Sequence, residues 1–402
     1  MQSPRCLPVI PSITIIVLAF FIAHIITGSQ DEGTLNHVFA FFQKHSSKQL
    51  QVGSIRSGET SSGVQKTENL IKKKLLSKPD RQIDELCSEL DQTCFLIIDK
   101  VQTFGNGLLV YRRLRRKGSQ GVLTLSETRL QPPSRGLLVA KLAAFDSFYF
   151  SKRIFPPYVT ALTWKNFNTK TWKVRKDTVR LIYARTLIAG AFMSGGLEFN
   201  TKRKQDVLII GLGGGVLNNY LTTMENQTLN VTVVDIDPVM KKIAEKWFGF
   251  KESPLHRIII DDGVRYIHDA ARRGEKYDVI IIDVCYNVIL PLMGPISEFL
   301  EDDLIASLRK ITADTGAVIV NTVTSKNTRK AADKVLFPYS LHFPSCYFIL
   351  HSDSEKMLFC SAKDNNSYLN NRDELYNRFV AVDRALGFQL LSEDQCNSYP
   401  LA

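Results

Sequence analysis

"DVLIIGLGGGVLNNYL", Asp206–Leu221, reads as a strand that ends in a glycine loop and passes at once into a helix. Val207–Ile210 is an unbroken apolar run, as expected of a strand covered on both faces. Glycines at 211, 213, 214 and 215 let the backbone turn tightly and approach a ligand without a Cβ in the way. The spacing is G-x-G-x-G. A dinucleotide fingerprint needs Gly or Ala where Val216 stands, so that fingerprint fails at its third glycine. The loop that remains can admit a nucleoside with no pyrophosphate to cradle.

Downstream, strand and helix patterns alternate. Strands are expected at Val231–Val234, Arg257–Ile260, Val279–Ile282 and Ala317–Asn321, with helices near Val216–Met224, Val239–Trp247, Val264–Ala271 and Glu298–Ile311. Val- and Ile-rich strands separated by helices imply a parallel sheet with helices on both faces. In such a sheet ligands sit beyond the carboxyl ends of the strands, and three strands end in acids. "VTVVDIDPVM" places Asp235 at a tip, 24 residues after Gly211, where a carboxylate can accept from both hydroxyls of a ribose. Asp237, just before Pro238, suits a helix cap. "IIIDDGVRYI" offers Asp262 to the exocyclic amine of an adenine and leaves Asp261 to begin a helix. "KYDVIIIDVCYNVILPLMGP", Lys276–Pro295, ends its apolar run on Asp283. A glycine loop with acids on three strand tips fits an adenosine-containing ligand that lacks phosphate, S-adenosylmethionine or its decarboxylated relative. Its cationic end favours nearby carboxylates.

"LIIGLGGGVL", "VVDIDPVMKKIAEKWFGF", "DDGVRYI" and "YDVIIIDV" resemble the spermidine-synthase-like branch of class I methyltransferases. Within it, the likeness is to the C-terminal domain of the elongation factor 1-alpha lysine and N-terminal methyltransferases, the group of methyltransferase-like protein thirteen. "WFGF", Trp247–Phe250, is the most specific part, and "LTLSETRL", Leu123–Leu130, resembles the hairpin segment that precedes the core in that branch. The resemblance covers roughly Cys94–Ala362. It implies a Rossmann-like S-adenosylmethionine-binding sheet in which Gly211, Gly213, Gly215, Asp235, Asp262 and Asp283 line the cofactor site.

It also exposes a departure. The methyltransferase relatives carry an acid two residues after the strand's Asp, and polyamine synthases an acidic loop; here Cys285 stands at that position. Aminopropyl transfer is disfavoured, since an amine nucleophile needs a carboxylate to hold and deprotonate it. Methyl transfer asks less, because much of the catalysis comes from holding nucleophile and methyl in line. The expected function is methyl transfer to a protein or peptide amine, with Asp283, Tyr286 and Asn287 as candidate catalytic residues. Two alternatives remain: a non-catalytic binding protein of the same fold, and an aminopropyltransferase. Cys285 itself reads as a buried thiol or a disulfide partner, with no His beside it to make a nucleophile.

Working outward, the front of the chain is basic. Of a net charge of +11, the stretch Leu86–Gln205 holds 21 Lys and Arg against 7 Asp and Glu. No aromatic residues alternate with these charges as a base-stacking platform requires, so no nucleic-acid partner is expected. The run Arg112–Lys117 reads as a solvated hairpin edge. Five segments result: 1–28, a signal anchor; 29–85, a polar stalk or linker with no fixed fold; 86–176, a small module of β-hairpins and a possible dimer contact; 177–362, the Rossmann-like domain; and 363–402, a C-terminal helical extension.

Leu7–Thr27 holds 21 residues without a formal charge, enough to cross a bilayer. Arg5 before it and Asp31 and Glu32 after it orient a type II anchor with the domain in the lumen or outside the cell. A cleaved signal peptide, hence a secreted form, is the close rival. Sequons at Asn226, Asn230 and Asn365 agree with a luminal glycoprotein. A hairpin turning at His351–Lys356 would set Cys346 opposite Cys360 for a disulfide. No zinc-ligand spacing occurs.

Overall fold

The computed structural model describes residues 60–104, 107–118, 124–133, 162–325, 329–350, 354–363 and 372–391. Two sheets organise them. The first is antiparallel, in the order β1 (Asp80–Cys87), β2 (Cys94–Phe104), β3 (Gly107–Arg116), β4 (Ser126–Gln131) and β5 (Lys173–Arg175). A helix, α1 (Thr60–Leu76), precedes it.

The expected linker 29–85 is therefore too long at its C-terminal end, since α1 and most of β1 fall inside it. The sequence shows little apolar period there because the part of β1 within it, Asp80 to Glu85, has a single buried apolar position, Ile83, among polar residues. A disulfide between Cys87 and Cys94 closes the β1–β2 turn.

The reading of Arg112–Lys117 as a solvated edge is also corrected. β3 is the central strand, and acids on β2 and β4 take up Arg112 and Arg113, whereas Lys117, just past the end of β3, stays exposed as expected. Arg112 is 2% exposed and grips Asp99, directly opposite on β2, through two bonds of 2.8 and 2.9 Å. Arg113 pairs with Glu127, and Lys117 with Glu85.

The second sheet contains β6 (Lys204–Ile210), β7 (Thr228–Asp235), β8 (His256–Ile260), β9 (Tyr277–Ile282), β10 (Leu292–Gly294), β11 (Thr312–Thr324), β12 (Ser345–Leu350) and β13 (Glu355–Ser361). Its order is β12-β13-β11-β9-β6-β7-β8, with β10 paired to β11. β11, β9, β6, β7 and β8 are parallel; β13 runs antiparallel to both β11 and β12. The helices are α2 (Ile182–Met193), α3 (Val216–Leu221), α4 (Pro238–Trp247), α5 (Gly263–Arg273), α6 (Asp302–Ile311), α7 (Arg329–His342) and α8 (Arg372–Leu386).

Side-chain alternation feeds two cores. Val207, Ile209, Val279, Ile281, Ile319, Met357 and Phe359 face α2, α4 and α8; Leu208, Ile210, Ile280, Ile282, Val318, Val320 and Leu358 face α5, α6 and α7. Each such side chain, removed from water, contributes about 1.5–3 kcal/mol. Cys346 and Cys360 are paired across β12 and β13 and joined by a disulfide, as expected.

Leu7–Thr27 and Asn365 lie outside the described residues, and among these no helix is long and apolar enough to cross a membrane. Asn230 is not in a loop between helix and strand. It lies within β7, 8% exposed, donating to Asp206 and accepting from Arg257, so this sequon is closed to a glycan in the folded chain.

Candidate functional site

The chain leaves β6, builds β7 and β8 on one side, and returns to place β9 on the other. The carboxyl ends of β6 and β9 thus meet at a topological switch point, where open α/β sheets bind ligands. Gly211 ends β6 there with φ +94°, its N–H donating to the carbonyl of Val234 at 2.8 Å. A Cβ at this position would lie 2.3 Å from the carbonyl oxygen of Asp283. Glycine is obligatory here because the next strand's tip passes against its backbone. Gly213 and Gly215 also adopt positive φ, +51° and +76°, which carries the loop into α3.

Two neighbours fix the loop. Ser126, on β4 of the first sheet, accepts the Gly214 N–H at 2.8 Å. Phe248 closes on Gly214 from below, and its carbonyl accepts from Asn219 at 3.0 Å. The adjacent Trp247 stacks against Arg112, whose guanidinium also reaches the Trp247 and Thr169 carbonyls at 3.1 and 3.0 Å. "WFGF" therefore joins the two sheets beneath the loop.

Asp235 sits at the β7 tip, half-buried. One carboxylate oxygen accepts the Leu212 N–H at 2.8 Å and the other the Asp237 N–H at 2.9 Å, which aims the group across the loop. Burial raises it to about 6, against the lowering effect of these two bonds. Asp237 caps α4 by accepting the Val239 N–H at 3.0 Å. The expected roles of the next pair are altered: Asp262 is the cap of α5, accepting the Arg265 N–H at 2.9 Å, whereas Asp261 is bound to the Arg265 side chain. The capping bond uses one Asp262 oxygen, Oδ1.

Asp283 follows β9. Its Oδ1 accepts from Asn321 Nδ2 at 2.8 Å; burial raises it to about 6, aided by the charge of Glu355. Tyr183, on α2, donates to the Leu125 carbonyl at 3.1 Å, and burial with the nearby Asp283, Cys285 and Glu355 pushes its hydroxyl well up.

No protein-family model matches the chain. The human eEF1A lysine and N-terminal methyltransferase is 30% identical over 181 residues, 44% of this chain and 26% of that protein. A polyamine aminopropyltransferase of Vibrio vulnificus is 33% identical over 130 residues, 32% of this chain and 41% of that protein. The crystal structure of human methyltransferase-like protein 13 in complex with SAH is 27% identical, with TM-score 0.47, covering 52% of this chain and 93% of that one. The chain spans about a quarter of the length of the eEF1A methyltransferases it matches. The second sheet, with its parallel strands in the order β11-β9-β6-β7-β8 and helices on both faces, is a Rossmann-like α/β sheet.

The segment after β9 carries the remaining candidate residues. Cys285 is a half-buried thiol raised to about 11, chiefly by burial and then by Asp283; among the described residues it has no disulfide partner, and it is not a thiolate at neutral pH. The Tyr286 hydroxyl is tied to Ser297, accepting its N–H at 2.9 Å and bonding its Oγ at 2.7 Å. Asn287 is exposed and opens the equally exposed apolar loop Val288–Leu290. Glu85, Cys87 and Cys94 lie within metal-ligand reach of one another, but the two thiols are joined as a disulfide.

Sequence reasoning missed Ser126, Asn321, Tyr183 and Glu355. Asn321 was within reach, being the first polar residue after the buried run Ala317–Val320 in the strand beside β9. The other three come from the first sheet, α2 and the antiparallel β13, and no local pattern joins them to the loop.

Proposed function

We propose that the chain is an S-adenosylmethionine-dependent methyltransferase that modifies an amine of a protein or peptide. The observation carrying this reading is the switch point, where the Leu212 N–H of the glycine loop bonds Asp235 at the β7 tip and the Gly211 backbone lies against Asp283 at the β9 tip. Asp235 accepts the ribose hydroxyls, the second Asp262 oxygen takes the adenine amine, and Asp283 faces the sulfonium. The backbone of Gly211, Gly213 and Gly215 gives the nucleoside room. Asn321 orients Asp283 and keeps it more acidic than burial alone would allow. Tyr286 and Asn287 border the acceptor approach.

In the transfer, the acceptor nitrogen's lone pair forms the N–CH3 bond. The C–S bond breaks with its electron pair passing to sulfur, and the nitrogen gives up one proton to solvent. The eEF1A methyltransferase relatives make a lysine or N-terminal amine the acceptor class to try first. Incubation with methyl-tritiated S-adenosylmethionine, eEF1A and peptides bearing a free N-terminus and a lysine should label an amine. Cofactor binding with no transfer to any of these supports instead the non-catalytic reading, which the thiol at 285 favours.

We place the domain in a luminal or extracellular compartment, anchored through Leu7–Thr27 or secreted after its cleavage. The Cys87–Cys94 and Cys346–Cys360 disulfides support an oxidising environment. Non-reducing peptide mapping of the cell-expressed chain should recover both cross-linked pairs; free thiols at all four positions would place the domain in the cytosol.

A further inference from the structure

Asn226 and Asn230 each open a glycosylation tripeptide, and the fold treats the two oppositely. Asn230-Val-Thr lies wholly inside β7. Asn230 is bonded to Asp206, its partner in the β6–β7 register, and to Arg257. Thr232, the hydroxyl residue of this tripeptide, is 0% exposed. A glycan on Asn230 would have to break both bonds and part β7 from β6, so the folded chain has no room for one.

Asn226-Gln-Thr begins in the turn between α3 and β7, where Asn226 is exposed with φ +59°. Asparagine enters that left-handed region more readily than most side chains, so the turn by itself accounts for an asparagine here. It does not account for Thr228. That residue is the first of β7, half-buried and paired with Lys204 of β6, a strand position that Val or Ile would fill as well. Exposed asparagine and hydroxyl residue are thus both present at the right spacing, in a segment where local structure asks only for the first.

We propose that Asn226 is an N-glycan acceptor and that Asn230 stays unmodified in the folded chain. This rests on the luminal or extracellular placement above, which the two disulfides support. The donor is an oligosaccharide joined through a diphosphate to a polyprenyl lipid. The Asn226 side-chain nitrogen forms the bond to the sugar's C1, the C1–O bond breaks with its electron pair leaving on the diphosphate, and the amide nitrogen gives up one proton to a base of the transferring enzyme. β7 carries the chain from Thr228, beside the glycan, to Asp235 at the opposite edge of the sheet, about 23 Å along an extended strand. The glycan therefore leaves the nucleoside site open, and it occupies the amino edge of β6 and β7, so a protein partner or a second copy of the chain must dock elsewhere.

The test expresses the full chain in cells with a secretory pathway and maps its peptides after enzymatic release of N-glycans in heavy-oxygen water, which turns each glycan-bearing asparagine into a labelled aspartate. The label should appear at 226 and be absent from 230. Thr228→Val, which leaves Asn226 in place and keeps a β-branched residue in the strand, should abolish it. Asn226→Gly, which keeps the left-handed turn, should do the same. Both variants should form the two disulfides and bind S-adenosylhomocysteine within about twofold of the unaltered chain. An unlabelled Asn226 in molecules that carry both disulfides, or that carry a label at Asn365, overturns the proposal and leaves the compartment standing. So does a label at Asn230 in the folded chain. Free thiols at all four disulfide positions with no label anywhere overturn the compartment reading, and the acceptor with it.

Discussion

Asn321 Nδ2 donates to Asp283 Oδ1 at 2.8 Å, tying β11 to the tip of β9. The bond favours the ionised carboxylate, against burial and the charge of Glu355. Asn321→Leu removes it, so Asp283 should titrate above its present value of about 6. A neutral Asp283 attracts a sulfonium less than a carboxylate does. At pH 7 the variant should lose about tenfold in S-adenosylmethionine affinity while S-adenosylhomocysteine, which is uncharged at sulfur, loses less than threefold. Equal losses for both ligands would mean that Asn321 shapes the pocket rather than its charge.

The same carboxylate sets a pH dependence. Asp283 is raised to about 6 in the free protein, so between pH 5 and pH 7 it passes from mostly neutral to mostly ionised. Preference for S-adenosylmethionine over S-adenosylhomocysteine should rise across that window and level off above it, by about three- to tenfold in all. For stability the sign is opposite. A raised folded-state value means that the folded chain holds more protons than the unfolded chain between pH ~4 and ~6, so Asp283 and Asp235 each make the ligand-free protein less stable as pH rises through that range. Titration calorimetry at several pH values with Asp283→Asn as control checks the first point; a ratio that still climbs in the variant assigns the effect elsewhere.

Gly211→Ala places a methyl 2.3 Å from the Asp283 carbonyl oxygen at a φ of +94°. Backbone on both sides leaves nothing flexible to give way. The strain costs on the order of 1–3 kcal/mol before the clash is counted. Thermal unfolding should show the loss, and the surviving folded protein should bind no nucleoside. Gly274→Ala, with φ +71° but nothing within 4 Å of the new methyl, should cost less and leave binding intact.

Arg112 holds the two sheets together beneath the glycine loop through Asp99, Thr169 and Trp247. Arg112→Met leaves Asp99, itself 0% exposed, as an uncompensated buried charge and should cost about 3–5 kcal/mol. Asp99→Asn combined with Arg112→Met should recover part of that, read by chemical denaturation. No recovery in the double variant would put the cost in the lost Trp247 and Thr169 contacts instead.

The parallel sheet was legible because β6, β7 and β9 hold short, largely apolar runs with acids or glycine at their tips, and a strand buried on both faces can scarcely be written otherwise. The helical extension expected at 363–402 contains α8. Other elements followed no local rule. β1 is a polar strand whose partner supplies most of its pairing, and α7 carries Pro338 inside the helix, which as sequence reads as a break. Arg112 looked solvated because its partner Asp99 is 13 residues away on the neighbouring strand. At the site, Asp235 and Asp283 were visible as strand tips. Ser126 and Glu355 come to that end of the sheet only through pairings between distant segments.

The most direct measurement of the nucleoside site is calorimetry of S-adenosylhomocysteine against the full chain and Asp235→Ala. The unaltered chain should bind one equivalent, and the variant, without the carboxylate that the Leu212 and Asp237 amides aim across the loop, should lose roughly 100-fold or more in affinity. Undiminished binding in Asp235→Ala, or no binding by the unaltered chain, would contradict a ribose held at the tip of β7.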